Sequence, residues 1–201
     1  MRRFYAHRPR LMPETSAAPP LTYEDYCLIP DDGKRHEIID GEEYMSPSPT
    51  TSHQRVVLKL LYSLQQYLEE NEVGEVFAVP HDVLLSDHDI VQPDVFFVAD
   101  GRRDIVKERG IEGAPDLIAE VVSEGNRRHD EVRKRKLYAR HGVAEYWVVN
   151  PALDTVKVYR GPEDGYERVA ERSAEQDEVL TTPLLADWAL PLPELFRARR
   201  G

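Results

Sequence analysis

The chain has 201 residues, enough for one α/β domain with a buried core, and two full domains are not expected. Hydrophobic residues make up 41% and charged residues 31%, with no apolar run long enough to span a bilayer. A net charge of −11 argues against a protein that coats nucleic acid electrostatically. It leaves room for an enzyme that meets nucleic acid through one local basic patch and a bound metal.

Residues 1 to about 20 hold Pro9, Pro13, Pro19 and Pro20 without apolar periodicity, which predicts a flexible arm. Arg2 and Arg3 are not followed by an apolar stretch, so no secretory signal is expected. The lone cysteine, Cys27, excludes an internal disulfide and a cysteine metal site; its apolar surroundings predict a packing residue. Together these features point to a reducing, cytoplasmic setting.

Thr22 to Ile29 reads as a short helix, capped by Thr22 with Asp25 three positions on and stopped by Pro30. His36 to Met45 reads as a hairpin turning at Asp40-Gly41. After Pro47 and Pro49 a long helix is expected from about Ser52 to Asn71. Its apolar stripe is Val56, Val57, Leu60, Leu61, Leu64, Tyr67 and Leu68. Strands are expected at 75–85, 90–98 and 116–122, then a helix from Arg127 to His141 closed by Gly142. Glu145–Asn150 and Thr155–Tyr159 read as two strands turned at Pro151, and a short element falls near Pro193 to Phe196. Helix, three strands, helix, strand departs from the strict alternation of a doubly wound sheet. It predicts a small mixed sheet flanked by helices.

Two acids stand out. Glu120 lies in Asp116-Leu117-Ile118-Ala119-Glu120-Val121-Val122 and shares a strand face with Ile118 and Val122. A carboxylate there loses its water and needs compensation, or it stays protonated. Asp94 repeats the pattern in Pro93-Asp94-Val95-Phe96-Phe97-Val98. Two acids set into apolar strands suggest a shared cation. Carboxylate oxygens suit Mg²⁺, which a phosphodiester hydrolase uses to polarise the phosphoryl oxygen and activate water. A lysine beside them, Lys134, would orient that water or stabilise developing charge.

Each part has a plainer reading. Asp94 could cap a turn after Pro93, and Glu120 could pair with a buried arginine. Asp130 and Lys134 are spaced for a surface ion pair worth a few tenths of a kcal/mol (~0.3). His53, at the start of the long helix, could be an exposed capping residue. Glu37 could pair with Lys34-Arg35-His36 beside it. The basic run from Arg127 to Lys136 is either a solvated face or a phosphate contact. No GxxxxGK loop, zinc-ligand pattern or GxSxG nucleophile is found.

Several stretches, in this order and spacing, resemble the putative restriction endonuclease family of the PD-(D/E)XK nuclease superfamily. They are Glu37-Ile38-Ile39-Asp40-Gly41-Glu42, Met45-Ser46-Pro47-Ser48-Pro49, His53-Gln54, Pro93-Asp94-Val95, Pro115-Asp116-Leu117 and Glu120-Val121-Val122-Ser123. Asp130 with Lys134 and Tyr138, and Gly142-Val143-Ala144-Glu145-Tyr146-Trp147-Val148-Val149, continue the match, which runs from about Leu21 to Arg160. The resemblance implies a restriction endonuclease-like α/β fold: a mixed central sheet flanked by helices, with an N-terminal hairpin and C-terminal strands. A single such domain would occupy 21–201, its core about 35–160.

The resemblance also implies a metal-dependent endonuclease acting on DNA, with Mg²⁺ (or Mn²⁺) held by Asp94 and Glu120. The superfamily lysine two residues after the glutamate is here Val122. That departure assigns its role to Lys134 from the following helix, with Lys136 also within reach. Glu37, His53 and Asp82 are second-rank candidates to complete or support the metal site. Arg127, Arg128 and Arg133 are candidates for nucleic-acid contact. Cutting both strands needs two sites, which points to a homodimer, with the Tyr146–Trp147 stretch as either core or interface. Two other functions stay open. One is a catalytically silent binding or assembly module, favoured by Val122 and the acidity. The other is a hydrolase of small phosphate esters or nucleotides.

Overall fold

The computed structural model describes residues 18–46, 48–122, 129–161 and 165–197, with the backbone alone at 129 and 130. The expected arm up to residue 17, Pro47, Ser123, and Arg127 and Arg128 lie outside the described residues.

The first helix, α1 (Tyr23–Tyr26), is shorter than expected, but its capping box forms: Asp25 N–H donates to Thr22 Oγ1, and Asp25 accepts from the Thr22 N–H. Cys27 follows it and is exposed, not a packing residue as its apolar neighbours suggested, because this helix buries no residue. The hairpin of β1 (Arg35–Ile39) and β2 (Glu42–Ser46) turns at Asp40 and Gly41, both at positive φ (54° and 73°). That conformation is tolerated by Asp and natural for Gly. Helix α2 (Thr51–Glu70) is capped by the Thr50 hydroxyl and buries Val56, Val57, Leu60, Leu64 and Leu68 from the predicted stripe. Each such side chain contributes about 1.5–3 kcal/mol when fully removed from water.

The expected strand over 75–85 is two strands, β3 (Gly74–Ala78) and β4 (Val83–Ser86), separated at Pro80. The expected strand over 90–98 is likewise divided around Pro93 into β5 (Asp89–Val91) and β6 (Val95–Ala99). Proline has no N–H to give a ladder, so each proline marks where the chain leaves one sheet for another. A 3₁₀ segment (Asp100–Ile105) leads to β7 (Val106–Lys107), β8 (Gly110–Glu112) and β9 (Leu117–Val121).

A π-helical stretch, His129–Lys134, runs into α3 (Arg135–Arg140), and Gly142 follows at φ 75°. Strands β10 (Glu145–Asn150), β11 (Thr155–Arg160) and β12 (Glu167–Ser173) come next. The hairpin of β13 (Val179–Thr181) and β14 (Ala189–Pro191) and then α4 (Leu192–Phe196) close the described chain.

The central sheet has the order β12-β11-β10-β9-β6-β3, with β9 and β10 parallel and the other pairs antiparallel. A second six-stranded sheet, β2-β1-β5-β4-β8-β7, was not foreseen as a separate layer. One face of the central sheet packs on α2 and the C-terminal segment through Val95, Phe97, Ala119, Val121, Trp147 and Trp188. The other face packs on α3 and the second sheet through Phe96, Ile118, Val122, Tyr138, Tyr146 and Val148. Tyr146 and Trp147 are fully buried core residues, not an exposed interface. Glu120 points to the second face, between α3 and the β1–β2 hairpin. No helix among the described residues is long and apolar enough to cross a membrane.

Candidate active site

Five parts of the chain meet at Glu120. Strand β9 supplies Glu120 itself, 1% exposed on the Ile118–Val122 face. The bend before β6 supplies Asp94, 1% exposed; the N-terminus of α2 supplies His53; β1 supplies Arg35 and Glu37. The junction between the π-helical turn and α3 supplies Lys134, which is 0% exposed. Single π turns recur at functional sites, because the extra residue re-aims the side chains beside it.

Lys134 Nζ donates to Glu120 Oε1 at 2.8 Å and to Glu37 Oε1 at 2.9 Å. One turn on, the Tyr138 hydroxyl donates to the same Glu120 oxygen at 2.7 Å. Glu37 Oε1 also accepts the Gln92 backbone N–H at 2.9 Å, while its Oε2 is buried without a partner. Asp94 Oδ1 takes Arg35 Nη1 at 2.9 Å, and Oδ2 takes His53 Nε2 at 3.0 Å and the Val121 N–H at 2.8 Å. Asp94 is thus locked to the backbone one residue from Glu120.

The three carboxylates are shifted in different directions. Burial pushes the Glu120 carboxyl above its usual range; the Lys134 charge opposes this, and neighbouring Asp94 and Glu37 reinforce it. Burial works against ionised Asp94 too, but the His53 hydrogen bond and the Arg35 charge hold it low. Glu37 is likewise held low against burial, by Lys134 and Arg35. Burial raises Tyr138 well above an ordinary tyrosine, so it stays a neutral donor. Glu120 is therefore the acid of the three that most needs another positive charge.

The donor set suits a hard divalent cation: two oxygen-bearing acids on adjoining strands, one of them short of compensation. Among the described residues no three His, Cys, Asp or Glu side chains form a ready cage. Mg²⁺ does not require one, since it is commonly held by one or two carboxylates plus water and substrate phosphate.

Val122 lies where the superfamily lysine belongs and instead packs in the apolar cluster with Tyr138 and Val148. Lys134 brings its ammonium to Glu120 from the helix. Lys136 is exposed and does not join the site. His53 is 8% exposed and bonds Asp94, so the capping alternative does not hold, although its own N–H meets Thr50. Glu37 hydrogen-bonds Lys134; of the basic trio, Lys34 pairs with Asp32, His36 with Asp32 and Glu43, and Arg35 bonds Asp94 while its charge also acts on Glu37. Asp82 holds the Tyr26 hydroxyl and Gln92 Nε2, which puts it behind Gln92 and away from the acids. Arg133 is exposed and lies over the Tyr44 ring, 4.2 Å from its centroid. The side chain of Asp130, proposed to pair with Lys134, lies outside the described residues.

Arg35 and the Tyr138 hydroxyl were not predicted as site groups. Their spacing carried the signal: Arg35 is two residues from Glu37 on a strand, and Tyr138 four from Lys134 on a helix, each on its neighbour's face. Gln92 acts through its main-chain N–H, which no residue type announces.

A mixed sheet between helices, with a buried acid pair and lysine where β6, β9 and the following helix meet, defines the restriction endonuclease-like class of α/β proteins. Consistent with this, a crystal structure of a putative nuclease belonging to DUF820 from Anabaena variabilis ATCC 29413 superposes with a TM-score of 0.73 at 21% identity. The match covers 88% of this chain and 98% of that one. Residues 22–193 match the model of the family described as Putative restriction endonuclease (Uma2), and the chain belongs to that family. No curated protein matches the chain.

Proposed function

We propose that this protein is a metal-dependent endonuclease that hydrolyses DNA phosphodiester bonds. The observation that carries the reading is the fully buried Lys134 ammonium at 2.8 Å from Glu120, which would supply from the π-helical turn the charge that Val122 lacks. A lysine at 0% exposure is costly unless its partners repay the lost hydration, and a site tuned for chemistry is where such costs concentrate.

Asp94 and Glu120 would hold Mg²⁺ (or Mn²⁺), which supplies phosphoryl polarisation and activation of water when bound. Arg35, His53 and the Val121 N–H fix the Asp94 carboxylate. Tyr138 fixes Oε1 of Glu120. Lys134, anchored by Glu37, would orient the attacking water and stabilise the charge gathering on the phosphate. Double-strand cleavage would use two such chains as a homodimer. The test is plasmid cleavage with Mg²⁺ or Mn²⁺ by wild type, Asp94→Ala, Glu120→Ala and Lys134→Ala. Metal-dependent nicking lost in all three variants is expected; nicking retained in folded Glu120→Ala refutes the assignment.

A second reading is a silent nuclease-fold binding module. It is favoured by the surroundings of Asp94, both of whose oxygens already have partners within the protein. Calorimetric titration with Mn²⁺ separates the two: no heat from wild type favours the silent module.

A further inference from the structure

We propose that Arg133 and Arg135, each laid over a tyrosine ring on either side of buried Lys134, form a two-point phosphate cradle for the nucleic-acid strand entering the site. The inference rests on the nuclease reading and deepens it by naming the groups that hold the backbone next to the reacting phosphate.

Three consecutive cations, Arg133-Lys134-Arg135, diverge at the π-to-α junction. Lys134 turns inward to Glu37 and Glu120. Arg133 Cζ lies 4.2 Å from the centroid of Tyr44, and Arg135 Cζ lies 5.2 Å from that of Tyr159. The two tyrosines come from different sheets. Tyr44 sits on β2 directly opposite Glu37, so both side chains leave the hairpin on one face and Tyr44 forms its outer, more exposed edge. Tyr159 sits on β11 beside Tyr146, on the face of the central sheet that carries Glu120. The arginines therefore flank the lysine, one toward each sheet.

Neither guanidinium has a carboxylate partner among the described residues. Arg35, Arg140 and Arg160 are instead held by Asp94, by Asp40 and Asp89, and by Glu145. In a chain of net charge −11, two cations beside the reactive centre with no acid on them among the described residues are suited to an anion from outside. A guanidinium lying over a ring is held by the cation–π attraction while its in-plane N–H donors stay available to a phosphate. The stack also removes side-chain freedom before the ligand arrives, which lowers the entropy cost of contact.

The experiment measures binding of a short labelled DNA duplex over a salt series, without divalent metal so that no turnover intervenes. Plasmid nicking with Mg²⁺ runs in parallel. Arg133→Ala and Arg135→Gln are each expected to reduce the slope of log K against log salt by about 0.9, and the double variant by about 1.8. Tyr44→Leu keeps the charge and loses the ring, so affinity should fall about 2- to 5-fold with the slope unchanged. Tyr44→Phe should bind as wild type. Thermal melting confirms that each variant folds; if Arg135→Gln does not, Arg133→Ala and Tyr44→Leu carry the test. A wild-type slope in folded Arg133→Ala overturns the cradle and leaves the nuclease reading standing if nicking persists. A wild type that neither binds duplex nor nicks plasmid removes both.

Discussion

Replacing Lys134 by methionine keeps the side chain's length and apolar stem but deletes its charge. Lys134 is 0% exposed and bridges Glu120 at 2.8 Å and Glu37 at 2.9 Å, both 1% exposed. Removing one partner of a buried pair costs about 3–5 kcal/mol, because the remaining charge has neither water nor counter-ion. Here two acids lose that counter-ion. Part of the loss is avoided by protonation: Glu120 is already raised and rises further without Lys134, and Glu37 loses the charge that chiefly holds it low against burial. An acid whose folded pKa exceeds its unfolded value binds more protons when folded, so stability falls as pH rises through the interval between the two values.

Lys134→Met should therefore be most destabilised near neutral pH and less so near pH ~5, just above an ordinary carboxyl pKa. At neutral pH the melting temperature should drop by roughly 6–20 °C, from about 2–4 °C per kcal/mol for a chain of this size. Adding Glu37→Gln and Glu120→Gln should recover most of the drop, since all three charges then leave together. Urea unfolding with melting curves across pH provides the measurement. A loss under about 1 kcal/mol, independent of pH and indifferent to the glutamine changes, would refute the view that Lys134 balances these two acids.

Other consequences can be measured directly. Asp89 binds Arg140, His141, Ser86 and the Asp40 N–H, tying the hairpin turn to the end of α3; Asp89→Ala should cost about 2–4 kcal/mol, read by urea unfolding. Asp94 and Asp89 are both held below the usual carboxylate range. Their contribution is present above the unfolded pKa of about 3.9 and is lost as pH falls through their folded values, so acid unfolding should move to higher pH in Asp94→Asn. Gly41→Ala should destabilise by about 1–3 kcal/mol in thermal melts, because the residue sits at φ 73° and an added Cβ would fall 2.3 Å from Pro20 Cβ. Val122→Lys in wild type should destabilise by roughly 2 kcal/mol, through a second ammonium placed in an apolar cluster.

Much of the molecule was legible in the order of residues. The stripe on α2, the Asp40-Gly41 turn, the capping box of Thr22 and the acid within β9 are local patterns. Backbone geometry at a period of 3.6 or 2 dictates them without reference to the rest of the chain. So was the anomaly of Glu120, since an acid flanked by Ile118 and Val122 must be compensated by something.

What compensates it was a tertiary matter. Lys134 and Lys136 are equivalent on composition, and only the π turn and the packing of α3 aim the first inward and leave the second in water. Glu37 and Arg35 belong to a hairpin whose distance from Glu120 is set by a second sheet. That sheet joins the hairpin to β5, β4, β8 and β7, short strands that follow α2 and β3 in sequence and are divided from their neighbours at Pro80 and Pro93. Side-chain periodicity fixes which face a residue takes. Which charge waits across that face depends on long-range packing and desolvation, and these exist only once the layers have closed.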